Sequence, residues 1–226
     1  AEGLVVYQET YDRSVYPELH TAGPKKDYDW RLDTPERAHA AGFRRLGIGV
    51  LFGLSDWRGE ALALAAHLFH LQRVCWTSQL TVSLPRLRPA AGSFQPRHSF
   101  GDRDLTQLLC ALRLTFPQVG IVLSTREPAM LRDAIAPLGV TMMSAGSHTE
   151  PGGYTGQGTD QLHRTVRGRK VEISQGTTPE SSSLAATEQF SISDGRSAAE
   201  VAAMLRTRGL EPVWKDWETV ILGDPA

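Results

Sequence analysis

The sequence predicts an α/β protein built on a parallel sheet, and three observations predict it. Short apolar runs bounded by Gly, Pro or polar residues recur through the first part of the chain. Amphipathic helical patterns fall between them. The runs are continuously apolar rather than alternating, as suits strands buried on both faces.

Taken in order, strands are expected at residues 4–7, 46–51, 80–84, 119–123 and 140–144. Thr34 caps a first helix, with Pro35 at its first position and Gly42 as its stop. Helical periodicity then covers residues 60–73, 102–114 and 127–138. That makes about five βα units, which suit either an arc of a (β/α)8 barrel or a doubly wound open sheet. From Gly152 to Ser197 the periodicity fails, and Gly, Ser, Thr and Gln dominate. This stretch reads as a flexible loop or insertion, and its Arg164, Arg167, Arg169 and Lys170 as a solvated charge run. Ser197 caps a last helix through Arg208 that stops at Gly209. Residues 211–220 alternate as a half-buried strand would, with Trp214 and Trp217 packing that segment. The expected domains are therefore 1–151, 152–196 and 197–226.

Composition narrows the function. A net charge of -1 gives no electrostatic reason to expect nucleic acid or an anionic membrane. No apolar run approaches the roughly 20 residues of a membrane helix. The first residues lack the features of a signal peptide, so the cytoplasm is the expected location. The chain opens directly on a strand without Met, which reads as the interior of a longer protein. Cys75 and Cys110 lie far apart in helical patterns and read as buried reduced thiols, not metal ligands.

Functional side chains in βα folds collect at the C-terminal ends of strands. That rule lines a mouth with Glu9, Arg86, Arg88, Ser124, Arg126 and Ser144. Forked guanidiniums there suit a carboxylate or phosphate ligand. Arg86 and Arg88 are equally well read as ion pairs at the rim. Ser124 and Arg126 are the better binding pair, because residues two apart after a strand reach one ligand from one side. Gly47, Gly49 and Gly53 are read as letting a flat ligand approach the strand end. His67 and His70 have metal-holding spacing without a third ligand, and a surface or packing role is expected. His20 and His148 are lesser candidates for the mouth. No nucleophile elbow appears, so neither a catalytic nucleophile nor a metal site is assigned.

Several blocks then match a known family in order. They are Val6-Tyr7-Gln8-Glu9-Thr10-Tyr11, Gly23-Pro24-Lys25-Lys26-Asp27-Tyr28, and Gly47-Ile48-Gly49-Val50-Leu51-Phe52-Gly53. Ser83-Leu84-Pro85-Arg86-Leu87-Arg88-Pro89, Leu123-Ser124-Thr125-Arg126-Glu127, Pro151-Gly152-Gly153-Tyr154 and Pro212-Val213-Trp214-Lys215 continue the series. The chain resembles the radical S-adenosylmethionine tyrosine lyases of the 2-iminoacetate synthase family. The resemblance implies the C-terminal strands of a radical S-adenosylmethionine (β/α)8-type barrel plus a small C-terminal element. It implies a [4Fe–4S] cluster and S-adenosylmethionine as cofactors. It implies cleavage of the L-tyrosine Cα–Cβ bond to 2-iminoacetate and p-cresol, for the thiazole of thiamine. Glu9, Gly47, Ile48 and Gly49 would then hold S-adenosylmethionine, and Ser124 and Arg126 the tyrosine carboxylate, with Arg86 and Arg88 adding charge. The family's Cys-x3-Cys-x2-Cys loop is absent from these residues, so the chain alone is expected to be inactive. A thiazole synthase and an electron donor are the implied partners.

Three alternatives stand beside this reading. A hydrogenase-maturation tyrosine lyase shares most of the blocks but carries further cysteines, whereas none follows Cys110 here. A non-catalytic α/β module would use the same arginines to hold an anionic metabolite. A split subunit would complete its barrel with a separate N-terminal half.

Overall fold

The computed structural model describes residues 2–87, 95–148, 163–166, 169–172 and 192–214. Five parallel strands form one sheet: β1 (Gly3–Val5), β2 (Arg45–Gly49), β3 (Gln79–Ser83), β4 (Gly120–Leu123) and β5 (Met142–Met143). Each strand lies beside its predecessor, in the order β1-β2-β3-β4-β5. A doubly wound sheet reverses its strand order at a switch point, and a barrel does not. The choice left open by length is therefore made by topology: the sheet is an arc of a barrel.

Side chains alternate across this arc. Leu46, Ile48, Val50, Leu80, Val82 and Ile121 pack outward against buried leucines of α4 (Trp57–Val74) and α5 (Asp102–Thr115). This outer layer is the core, and it buries Leu64, Leu68, Leu71, Leu105 and Leu109 almost completely. The inner face carries Val5, Gly47, Gly49, Thr81 and Ser83, paired in register as Val5↔Gly47↔Thr81 and Gly49↔Ser83. A methyl on Gly49 would lie 2.7 Å from the Ser83 carbonyl oxygen and 2.8 Å from Tyr7 Cδ1. On Gly47 it would lie 2.9 Å from Val5 Cγ2. The space these glycines leave is thus taken by the protein's own Val5 and Tyr7, not left open for a flat ligand.

Capping fixes the helix ends. Asp56 accepts from the backbone of Arg58 and Gly59 and starts α4 three residues before the expected position. Thr34 is the first residue of α3 (Thr34–Ala40) rather than its cap, and its hydroxyl donates to the Trp30 carbonyl. The expected helix at 127–138 shortens to α6 (Ala129–Ile135), because Pro128 precedes it and Pro137 falls in a 3₁₀ turn. Ser197 and Glu200 form a capping box at α7 (Ala198–Thr207), and Gly209 follows at φ 73°. Two short helices, α1 (Tyr16–Leu19) and α2 (Tyr28–Leu32), lie in the connection after β1.

The 152–196 stretch is not wholly irregular. It contains an antiparallel hairpin of β6 (His163–Val166) and β7 (Arg169–Glu172). Its last residues dock on the sheet through Ser193 and Asp194, whose amides donate to the Thr125 carbonyl. The strand expected at 211–220 does not form over Glu211–Trp214, and Trp214 is exposed rather than packed. Trp217 and the Pro151–Tyr154 block lie outside the described residues.

Gly49→Ala should cost about 1–3 kcal/mol by overpacking against backbone that cannot retreat. Gly59→Ala, whose added methyl meets only Asp56 Oδ2 at 3.8 Å, should cost nothing. Urea unfolding midpoints of the two variants check the contrast.

Candidate functional site

The C-terminal ends of the first four strands open onto one cavity of about 650 Å³, within the range of small-molecule sites. Its walls are apolar, from Leu51, Leu54, Leu84 and Leu87, and on one side it reaches Leu109 of the outer core. Polar groups stand at its rim: Glu9 after β1, Ser83 ending β3, and Ser124 and Arg126 after β4. His20 and Lys25 reach it from the connection between β1 and β2.

Glu9 is held in an unusual state. Its φ is 70°, the left-handed region, which costs a non-glycine residue energy. The strand register enforces it: Gln8 donates to the Gly49 carbonyl at 3.1 Å and the Leu51 amide donates to the Glu9 carbonyl at 2.9 Å. Two cations flank its carboxylate, Lys25 Nζ at 2.9 Å and Arg31 at 3.5 Å. Arg31 also donates through Nε to the Tyr7 carbonyl at 2.6 Å, so one side chain fixes both the strand end and the acid.

The connection after β1 is anchored from outside the arc. Glu60, buried in α4, accepts from the Thr10 hydroxyl and from the Tyr11 amide at 2.8 Å. Burial pushes its carboxyl above the ordinary range. Asp12 accepts from Ser14 and Ser55, and those hydrogen bonds hold it at about 2. Tyr11 Oη lies 2.7 Å from His67 Nδ1. His67 is thus a packing residue, and His70 pairs with Glu36 at 2.8 Å. Among the described residues no three His, Cys, Asp or Glu are grouped to hold a metal.

Ser124 to Glu127 form the turn after β4. Ser124 and Arg126 line the cavity half-buried, Glu127 lines it while buried, and Thr125 is buried. Ser124 Oγ accepts from the Arg126 amide at 3.3 Å, which closes the turn that presents both.

Other expected site residues fall differently. Arg86 is buried, with Nε donating to Glu127 at 3.0 Å and Nη2 to the same carboxylate. Its Nη1 donates to Asp102 at 2.7 Å. Two carboxylates occupy the fork, so Arg86 is the rim ion pair of the sequence alternatives and ties β3 to the β4 turn. Arg88 lies outside the described residues. Ile48 points into the outer core, 2% exposed, and neither it nor Gly47 and Gly49 line the cavity. The Ser144 side chain does not line the cavity; its carbonyl accepts from Arg132. His148 is exposed and off the cavity.

His20 was underrated by its sequence position. Its Nε2 is buried without a hydrogen-bond partner, and burial lowers its pKa. Its ring lies 4.4 Å from that of Tyr16, whose hydroxyl donates to the Lys25 carbonyl at 2.7 Å. No spacing in the sequence brings His20 beside Glu9; only the folded connection does.

Fold and site together define a parallel βα-barrel segment whose strand ends gather an acid, a guanidinium and a hydroxyl around one small-molecule cavity. The chain belongs to the Biotin and Thiamin Synthesis associated domain family, which matches residues 83–211. It is 41% identical over 97% of its length to the 2-iminoacetate synthase of Escherichia coli (strain K12). It is 40% identical over 96% of its length to that of Salmonella typhimurium. The chain spans about half the length of these relatives, 52% and 51%. A crystal structure of HydG, a maturase of the [FeFe]-hydrogenase, superposes with TM-score 0.77 at 31% identity, over 97% of this chain and 42% of that one. HydG from Carboxydothermus hydrogenoformans gives TM-score 0.71 at 36% identity, over 92% of this chain and 42% of that one.

Burial drops His67 from 6.5 to about 4, with the charge of His70 adding to the effect. The unfolded chain therefore takes up this proton first as pH falls. The stability His67 contributes is present above pH 6.5 and is lost as the pH falls toward 4. Wild type should lose more stability between pH 7 and 5 than His67→Gln, which keeps an acceptor for Tyr11. Parallel urea midpoints would contradict this.

Proposed function

We propose that this chain forms the substrate-holding part of a radical S-adenosylmethionine lyase, a 2-iminoacetate synthase. The reaction is cleavage of the L-tyrosine Cα–Cβ bond to 2-iminoacetate and p-cresol, supplying the thiazole of thiamine. The observation that carries the reading is that Ser124 and Arg126, after β4, line one cavity together with Glu9, after β1. Identity of about two residues in five with two 2-iminoacetate synthases supports it.

The residues present fit S-adenosylmethionine. The cavity has apolar walls for an adenine, and the Glu9 carboxylate suits a ribose or an ammonium group. Glu9 would hold that group, kept in place by Lys25 and Arg31. The described residues do not fit a [4Fe–4S] cluster. Cys75 is buried at the end of α4 and Cys110 is in the middle of α5, so the reading assigns the cluster to a Cys-x3-Cys-x2-Cys segment not among these 226 residues. The chemistry that bound S-adenosylmethionine supplies in this class is a 5′-deoxyadenosyl radical directed at the tyrosine amino group.

The chain's own contribution is positioning. Arg126 and Ser124 grip the substrate carboxylate with charge-assisted hydrogen bonds. The leucines exclude water from a reactive intermediate. Neutral His20 offers Nε2 to a polar group of the ligand. A thiazole synthase that takes 2-iminoacetate and a cytoplasmic electron donor complete the reading. No helix among the described residues is long and apolar enough to cross a membrane.

The HydG superposition favours a second reading, a hydrogenase-maturation tyrosine lyase, which the higher identity to the synthases outweighs. An anion-binding module would bind tyrosine or another carboxylate without cleaving it. Release of p-cresol from L-tyrosine by the anaerobic holoenzyme, chain plus cluster-binding segment, tests the proposal. Arg126→Gln should raise KM for tyrosine about 10- to 100-fold, the value of a charge-assisted hydrogen bond. Binding without p-cresol, or an unchanged KM, would contradict it.

A further inference from the structure

The turn that carries Ser124 and Arg126 is fastened by a distant part of the chain. The Thr125 carbonyl, between those two residues, accepts from the amides of Ser193 at 2.9 Å and Asp194 at 3.1 Å. Asp194 is 2% exposed and Arg132, on α6, is wholly buried. Arg132 donates through Nη1 to the Asp194 carboxylate and through Nη2 to the Ser144 carbonyl at the end of β5. Arg196 closes the other side, with Nη2 at 2.7 Å from both Asp194 and Asp133. The Arg196 carbonyl accepts from Gly146 at 3.0 Å. One buried carboxylate thus joins the turn after β4, the helix that follows it and the loop after β5.

We propose that Asp194 is a positioning residue for the carboxylate-binding pair, acting through the Thr125 carbonyl to set where Ser124 and Arg126 stand in the cavity. The inference rests on the reading that this pair holds the substrate carboxylate. Among the described residues the network touches none on the Glu9 side. Glu9, Gly47 and Gly49 are set by β1, β2 and the Arg31 contact. Loss of the network therefore moves one half of the site and leaves the other. A misplacement of about 1 Å is enough to cost up to 10²-fold in an oriented site.

The test is steady-state kinetics of the holoenzyme with two variants. Asp194→Asn takes the paired carboxylate from buried Arg132, while Arg196 keeps Asp133. It should raise KM for L-tyrosine about tenfold or more while KM for S-adenosylmethionine stays at the wild-type value. Arg196→Gln keeps the Arg132–Asp194 pair, so folding is not at risk, and should shift tyrosine KM in the same direction by less. If Asp194→Asn does not fold, Arg196→Gln decides. An unchanged tyrosine KM in the folded variants overturns the proposal, as does a parallel rise in both KM values, which a merely structural role produces. Wild-type holoenzyme that releases no p-cresol overturns the functional reading and this inference with it. The wild-type control separates that failure from the first.

Discussion

A carboxylate buried between two guanidiniums, Asp194 against Arg132 and Arg196, gathers the elements that make the mouth. Burial alone would push its carboxyl up, but the hydrogen bonds from Arg196 and Arg132 hold it at about 2. An ion network of this kind contributes little net stability, because desolvation offsets the attraction. What it supplies is geometry: a polar segment with few apolar side chains is seated in one position on the turn after β4 and the loop after β5. Arg86 does the same on the neighbouring side, fastening β3 to that turn through Glu127 and to α5 through Asp102. The β4 turn, with Ser124 and Arg126 on it, is therefore clamped from both flanks.

The division of labour across the sheet follows from strand alternation. Outward positions carry Leu, Ile and Val, and they build the core with α4 and α5. Inward positions of β2 and β3 carry Gly, Thr and Ser, which are too small to fill the arc. Those inner residues leave a cavity at the strand ends instead of a packed centre, and the glycines of β2 let Tyr7 lie across the strand beside it. Glu9 pays for its place with a left-handed backbone, which the Leu51 and Gln8 hydrogen bonds impose.

The outer layer was legible in the sequence because hydrophobic periodicity reports burial of apolar side chains. The strand-end rule put Glu9, Ser124 and Arg126 at the mouth, and all three line the cavity, since a parallel βα fold gathers strand ends whatever the connections do. Arg86 was ambiguous because Glu127 stands 41 residues away, and nothing local reveals the pairing. Asp194 was missed for a related reason. The stretch that delivers it is buried through charges, and polar composition was read as solvent exposure. His20 shows the same limit: its place at the cavity depends on the Tyr16 and Lys25 contacts within an irregular connection. The helix expected at 127–138 came out shorter, Ala129–Ile135, because Pro128 precedes it and Pro137 turns its end into a 3₁₀ turn.

The central claim is that the two halves of this cavity bind two different ligands, a substrate carboxylate at Ser124 and Arg126 and S-adenosylmethionine at Glu9. A crystal structure of the holoenzyme with S-adenosylmethionine and L-tyrosine tests it most directly. The account predicts the tyrosine carboxylate within hydrogen-bond distance of both Ser124 Oγ and the Arg126 guanidinium, and the Glu9 carboxylate on the cofactor. Tyrosine bound elsewhere, or an Arg126 guanidinium turned away from an occupied cavity, would contradict it.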